Sequence, residues 1–184
     1  VEILEKEGIS AQPHSWMENC LTLDRTGNLE LLDAFRQGLF YVQDPASKLS
    51  VRCAGLQEGM TVLDCCAAPG GKSFAAAVAT AGKANQTACD IHPHKTALIE
   101  NGAKRLGFSN IEVRCQDAAK NVATWNDGFD AVICDVPCSG YGIIRKKPDI
   151  RYKDPDTMKD LPALQKQILQ RQAGYVRPGG VLLY

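Results

Sequence analysis

The sequence lacks the features that would assign it at once to several large classes of protein. Lysine plus arginine (21 residues) balances aspartate plus glutamate (21 residues), so no overall positive field indicates a nucleic-acid-binding protein, although a local basic patch stays open. No segment approaches the roughly 20 apolar residues of a membrane span, and no signal peptide is visible. We therefore expect no membrane partner.

The eight cysteines lack the spacing of a metal site, because no C-x-x-C pair occurs among them. Most of them lie inside apolar runs, which argues against a secreted disulfide framework. These absences predict a reduced, cytoplasmic protein that holds no metal ion. We also expect it to be a monomer.

Two common nucleotide-binding motifs are absent as well. A phosphate-binding P-loop reads G-x-x-x-x-G-K-[ST]; Gly71, Lys72 and Ser73 match its end, but Cys66 stands where the first glycine is required. The dinucleotide fingerprint G-x-G-x-x-G does not occur. The segment around Lys72 is therefore not explained by either motif.

What the sequence does contain is a strand, a glycine turn and a helix in direct succession. Thr61–Leu63 is β-branched and apolar, Pro69, Gly70 and Gly71 interrupt the regular backbone, and Ser73–Ala81 is an alanine-rich helical run. Such a turn lets a ligand approach the backbone and directs free N–H groups and the positive helix end toward it. The segment predicts a site for a negative group, with an unliganded tight turn as the alternative.

From Gly59 onward strands and helices alternate. The predicted strands are Thr61–Cys65, Thr87–Ile91, Ile111–Cys115, Phe129–Cys134 and a last one, Val181–Tyr184, and the helices are Ser73–Ala81, Lys95–Leu106 and Leu161–Tyr175. This order predicts an α/β fold with a parallel sheet covered on both faces, whose ligands bind beyond the carboxyl ends of the strands.

The first 55 residues are predicted to be a lead-in with several short elements. These are helices at Val1–Glu7, Leu29–Arg36 and Ala46–Ala54, and strands at Cys20–Leu23 and Phe40–Val42. Asp44 precedes Pro45, which is typical of a helix cap, with a ligand contact as the alternative reading. Because the chain starts inside a helix without methionine and stops in a half-made strand, we expect a piece of a longer protein.

Four acidic residues mark the ends of successive predicted strands: Asp64, Asp90, Asp117 and Asp135. Asp90 lies 20 residues after Gly70, the separation at which an acid meets a ribose in nucleoside-cofactor folds. One such acid is commonly a helix cap, but four above one glycine turn favour a nucleoside cofactor. The missing phosphate motifs favour S-adenosylmethionine, with its carboxylate on the turn, its ribose on Asp90 and its adenine near Asp117.

The fourth strand leads into an Asp-Val-Pro-Cys-Ser-Gly loop that brings Asp135 and Cys138 within three residues of each other. A buried structural cysteine is the usual alternative reading of a cysteine, and it suffices for Cys53, Cys89 and Cys115. A Pro-Cys-Ser-Gly loop is a poor candidate for the core, so Cys138 is predicted to face the cofactor.

One dense basic cluster follows this loop and comprises Arg145, Lys146, Lys147 and Arg151. It is either a solvated loop or a set of contacts to the phosphates of a nucleic acid. The sequence leaves both readings open at this point.

With these residues in hand, a family resemblance is apparent. Cys66–Lys72 and Asp135–Gly140 resemble the two signature motifs of the Sun (Fmu) family of RNA cytosine-C5 methyltransferases, and Arg145 and Lys147–Asp149 continue the second motif. Phe40–Asp44 also resembles the bacterial members that modify small-subunit ribosomal RNA. The resemblance implies a Rossmann-like methyltransferase fold over residues 38–184, incomplete at its C-terminus. Residues 1–37 resemble the end of a small α+β RNA-binding subdomain.

The resemblance also implies roles for individual residues. S-adenosylmethionine would contact Cys66, Ala67, Ala68, Pro69, Gly70, Gly71, Lys72, Asp90, Asp117 and Asp135. In family chemistry a thiolate adds to carbon 6 of cytosine and activates carbon 5 for methylation, with 16S ribosomal RNA as the expected substrate. Asp135 would hold the cytosine edge and help to protonate N3.

The family uses two cysteines, and Cys138 matches the one that assists elimination of the product. The attacking cysteine follows the strand that here reaches Tyr184. We therefore expect a methyltransferase as the parent protein. The alternative is a non-catalytic module that binds cofactor and RNA, which is the expected behaviour of these 184 residues alone.

Overall fold

A computed structural model describes residues 1–184. Its helices are α1 Glu2–Lys6, α2 Asp33–Arg36, α3 Pro45–Cys53, α4 Gly71–Ala79, α5 Pro93–Leu106 and α6 Leu161–Ala173. Its strands are β1 Ser10–Pro13, β2 Leu21–Asp24, β3 Thr61–Asp64, β4 Asn85–Asp90, β5 Ile111–Cys115, β6 Phe129–Ile133 and β7 Val176–Leu183. Short 3-10 turns lie at Leu29–Leu31, Ala123–Trp125, Tyr141–Ile143, Pro148–Tyr152 and Pro155–Met158.

The central sheet has five strands in the order β5-β4-β3-β6-β7, and every neighbouring pair is parallel. All five residues of β6 are buried, as expected for a strand covered on both faces. The predicted α/β fold with a parallel sheet is thereby confirmed. Strands β1 and β2 form a separate antiparallel pair near the N-terminus.

The core lies on both sides of this sheet because successive strand residues point to opposite faces. Val62 and Ala131 pack on the side of α3 and α4, whereas Leu63 and Val132 pack on the side of α6. No helix has the length and apolar character needed to cross a membrane.

The N-terminal segment is attached to the sheet domain through Arg105 at the end of α5. Its guanidinium donates hydrogen bonds to the carbonyls of Phe35 (2.6 Å) and Phe40 (3.0 Å) and lies 3.8 Å from the Phe35 ring centroid. Burial lowers the pKa of the Arg105 guanidinium. Gly38 has a positive φ of 74° and packs directly against the Arg105 carbonyl, where a Cβ would collide with it.

Replacing Arg105 by alanine should lower the free energy of unfolding by about 2 kcal/mol, because two carbonyls lose a charged donor and an aromatic ring loses its cation. Urea unfolding of the variant and the wild type measures this effect. Lys104→Ala is the matched control, since Lys104 is exposed on the same turn. Equal unfolding midpoints for the two variants would contradict this role.

The predicted helix Leu29–Arg36 is wrong as a single element. The structure has a 3-10 turn at Leu29–Leu31, an extended Leu32, and then α2. The break arises because the Glu7 carboxylate accepts the N–H groups of Asp33 (3.0 Å) and Ala34 (2.9 Å), which caps a new helix start. Glu7 lies 26 positions before Asp33, so a prediction from neighbouring residues cannot identify it as the cap.

Three further differences concern strands. Residues 40–42 were predicted to form a strand but pair with no other strand, and the Phe40 carbonyl is bound by Arg105 instead. Strand β1 was not predicted; only Ala11 of its four residues is buried, which leaves little apolar pattern. Strand β7 starts at Val176 rather than Val181, and its register is irregular opposite Phe129 and Ala131.

Candidate functional site

The glycine turn ends β3 and opens α4 toward the carboxyl edge of the sheet. Gly70 is the N-cap with φ of 110°, and a Cβ there would collide with the ring of Phe74. Ala67 donates its N–H to the Cys89 carbonyl on β4 (2.7 Å), and Gly70 donates to the Ala67 carbonyl (2.7 Å). The first N–H groups of α4 have no partner within the helix, so the turn presents donors to a negative ligand.

Lys72 joins this turn to the loop after β6. Its Nζ lies 2.6 Å from Oδ2 of Asp135, and the two side chains are 20% and 58% exposed. An ion pair this exposed contributes little to stability, so its consequence is positional. It brings the two sequence motifs, Cys66–Lys72 and Asp135–Gly140, to one site.

Asp64 lies beneath the turn and is only 3% exposed. Its Oδ2 accepts a hydrogen bond from Oγ of Ser73 (2.7 Å), while its Oδ1 is buried without a partner. Burial raises the pKa of the Asp64 carboxyl to about 7. An orphaned buried oxygen below a helix N-terminus fits a site that is completed by a polar ligand.

Asp64 should make stability depend on pH. Its folded pKa, about 7, lies above the ordinary 3.8, so the folded state holds the proton more tightly and stability falls as pH rises from 4 to 7. The contribution lost is up to about 4 kcal/mol. Urea unfolding across this range should show a weaker fall for Asp64→Asn than for the wild type. Asp127→Asn, an exposed control, should keep the wild-type slope, and an unchanged slope in Asp64→Asn would refute the role.

Asp90 and Asp117 end or follow the next two strands and each use one oxygen locally. Oδ1 of Asp90 accepts from the N–H of His92 (3.1 Å), and Oδ1 of Asp117 accepts from the N–H of Ala119 (2.9 Å). Neither Oδ2 has a hydrogen-bond partner in the protein. Both acids therefore retain an acceptor for a ligand beyond the carboxyl edge.

Cys138, in the loop that follows β6, is an exposed thiol at this edge. Cys65 and Cys134 are buried below it, and the hydrogen bond with Cys134, reinforced by burial, holds the pKa of Cys65 well above its usual range. Of the cysteines predicted to be structural, Cys89 is buried, but Cys53 and Cys115 are exposed, so that prediction is wrong for them. Cys115 ends the edge strand β5, none of whose five residues is buried.

The basic cluster is exposed throughout and follows the Cys138 loop, from just after the 3-10 turn at Tyr141–Ile143 into the one at Pro148–Tyr152. Arg145, Lys147 and Arg151 form no ion pair, whereas Lys146 pairs with Asp44. The Arg151 guanidinium lies 4.8 Å from the ring centroid of Tyr152, which is 75% exposed. Asp44 also caps α3 by accepting the Ala46 N–H (2.9 Å), which confirms the predicted cap.

Known proteins resemble this chain over its whole length. The family profile described as "16S rRNA methyltransferase RsmB/F" matches residues 52–184. "Probable ribosomal RNA small subunit methyltransferase B" of Bacillus subtilis is 39% identical over 97% of this chain and 40% of the relative. "Ribosomal RNA small subunit methyltransferase B" of Vibrio cholerae is 34% identical over 99% and 42%, respectively. The chain thus spans less than half the length of these relatives.

Solved structures agree with this likeness. The structure titled "Crystal Structure of PH0851" superposes with a TM-score of 0.92 at 28% identity, covering 98% of this chain and 41% of that one. A structure of NSun6 from Pyrococcus horikoshii with SFG, an S-adenosylmethionine analogue, gives 0.74 at 27% identity, covering 84% and 40%. The Rossmann-like methyltransferase fold predicted from the sequence is confirmed.

The family match includes the turn, the strand-end acids and the Asp135–Cys138 segment. It confirms the predicted Sun-type resemblance and, with the analogue-bound neighbour, S-adenosylmethionine as the cofactor. The matched stretch is well over half of the chain. This chain belongs to the 16S rRNA methyltransferase RsmB/F family.

Proposed function

We propose that the protein containing this chain transfers a methyl group from S-adenosylmethionine to carbon 5 of a cytosine in 16S ribosomal RNA. The observation that carries the proposal is the Lys72–Asp135 ion pair. It sets an acid, and three residues later an exposed thiol, beside the N-terminal turn of α4. The substrate places the protein with ribosomes in the cytoplasm, and we keep the expectation of a metal-free monomer.

Several residues at the carboxyl edge of the sheet would hold the cofactor. The turn Cys66–Lys72 offers backbone N–H groups to the methionine carboxylate, and Asp90 offers its free oxygen to the ribose hydroxyls. Asp117 lies on the adenine side, after β5. When bound, S-adenosylmethionine would supply an electrophilic methyl group.

The chain's acid and thiol would then act on the base. A cysteine thiolate would form a bond to carbon 6 of cytosine, and the ring electrons would move to N3. The proton given up by the thiol would reach N3 through Asp135, so that carbon 5 becomes nucleophilic. After methylation, a base takes the proton from carbon 5, and its electron pair re-forms the carbon 5–carbon 6 double bond as the carbon–sulfur bond breaks. The thiolate leaves, and N3 returns its proton to Asp135, which restores the aromatic ring. Cys138 assists this elimination, and the attacking cysteine is expected just beyond Tyr184.

Labelled S-adenosylmethionine and unmodified 16S ribosomal RNA test the proposal with the full-length protein. Nuclease digestion should place the label in 5-methylcytidine. Label in any other nucleoside would contradict the assignment to carbon 5. A protein that binds both ligands without transferring label would support the alternative, a non-catalytic module.

The basic cluster is proposed to bind RNA phosphates, with Tyr152 available for base stacking. Replacing Arg145 and Lys147 by glutamine should weaken RNA binding and reduce the slope of log K against log salt by about 2, because each cation releases about one counterion. Titration of a 16S RNA segment at several salt concentrations measures the slope. Replacing Lys166 and Lys104, which are exposed on helices, is the matched control. An unchanged slope in the cluster variant would mean that these residues form a solvated loop without contacts to RNA phosphates.

A further inference from the structure

The loop that carries Cys138 is held by side chains from elsewhere in the chain. Nε2 of Gln165 on α6 donates to the Pro137 carbonyl (2.8 Å), and Nζ of Lys153 donates to the Ser139 carbonyl (3.1 Å). The two carbonyls belong to the residues immediately before and after Cys138. The backbone on both sides of Cys138 is therefore held by hydrogen bonds from residues distant in the chain.

The bond from Gln165 controls the backbone at the cysteine itself. The Pro137 carbonyl is part of the peptide unit that leads into Cys138, so its direction sets the plane from which the cysteine extends. The proline ring restricts only its own φ and leaves its ψ free. Since Pro137 and Cys138 are both exposed, packing does not fix this plane. The Gln165 amide supplies the missing constraint.

Helix α6 gives Gln165 a rigid base. Ile168, one turn further on, is buried in the core cluster, and Gln172, two turns after Gln165, donates Nε2 to the Ala118 carbonyl at 2.8 Å. Ala118 follows Asp117, so one helix anchors both loops that border the site. Lys153, in contrast, reaches its carbonyl from an exposed turn with a flexible stem.

We propose that Gln165 is the residue that positions the Cys138 thiol, by holding the Pro137 carbonyl, for the role that the proposed function gives this cysteine. Gln165 is a positioning residue, because it touches the loop rather than the reacting base. Small displacements of a reacting group are costly, so a loosened loop would slow the step that uses the thiol.

The alkylation rate of each cysteine in this chain tests the proposal without any need for turnover. Gln165→Ala should shift the iodoacetamide rate at Cys138, which is already exposed, by about fivefold, because losing one hydrogen bond changes by that factor the population in which the loop holds the thiol in its native direction. The rate at exposed Cys53 and at buried Cys89 should not change. Mass spectrometry of the digested chain gives all three rates from one sample.

Two further variants separate positioning from stability. Gln167→Ala, on the exposed side of α6, should leave the Cys138 rate unchanged, and Gln165→Lys, which keeps an N–H donor, should restore it toward the wild-type value. An unchanged Cys138 rate in Gln165→Ala, or a parallel rise at Cys89, would overturn the proposal. Protection of wild-type Cys138 by a 16S RNA segment tests the proposed function separately. Its failure would count against that function and not against Gln165.

Discussion

Asp90→Ala should weaken the binding of S-adenosylmethionine or S-adenosylhomocysteine to this chain by about 100-fold. A ribose diol can donate two hydrogen bonds to one carboxylate, and bonds to a charged group contribute about 1.5 kcal/mol or more each. Asp90 is 7% exposed and ends β4 next to the glycine turn, so water replaces the lost acceptor poorly. Isothermal titration calorimetry measures the change in Kd.

Asp90 also has a local structural bond, and a second variant separates the two roles. Asp90→Asn keeps an oxygen for the His92 N–H, which Oδ1 accepts at 3.1 Å, but it loses the charge that the ribose would meet. We expect an intermediate loss of about tenfold for this variant. Asp24→Ala, on the exposed end of β2, is the control and should bind as the wild type does. Wild-type affinity in Asp90→Ala would remove the ribose role.

A polypeptide of residues 1–184 should bind the cofactor yet transfer no methyl group to 16S ribosomal RNA. Carbon 5 of cytosine is a poor nucleophile until a thiolate adds at carbon 6, and the resemblance assigns no residue of this stretch to that addition. Cys138 is exposed at this site, but the resemblance assigns it to elimination of the product. It also extends from the loop after β6, and not from the position of the attacking cysteine. A misplaced nucleophile loses most of the advantage of proximity.

The assay uses labelled S-adenosylmethionine and unmodified ribosomal RNA, with the full-length protein as the positive control. Residues 1–184 are expected to transfer no label above background, since covalent activation is absent. Transfer near the full-length rate that Cys138→Ala abolishes would make Cys138 the nucleophile. The assignment of roles to the two family cysteines would then have to be reversed.

Local sequence pattern was sufficient for the sheet domain except for the start of β7. The alternation of apolar strands with helices predicted β3 to β6 and α3 to α6 with small shifts at their ends. The reason is that a buried parallel strand needs a continuous apolar run and each crossover helix needs its own stop signal, such as Gly107 after α5. Patterns were weak in the N-terminal segment, where short elements bury few residues. There the long-range cap from Glu7 divided a predicted helix.

The sequence by itself determined the fold, the glycine turn and the acids at the strand ends, because these depend on residues close together in the chain. Only the tertiary structure decided that Lys72 pairs with Asp135, 63 positions away, that Cys53 and Cys115 are exposed, and that Gln165 holds the Cys138 loop. A contact between distant residues depends on which strands become neighbours and on the direction in which each side chain leaves its element. Neither is encoded in a local pattern; both follow from packing the sheet.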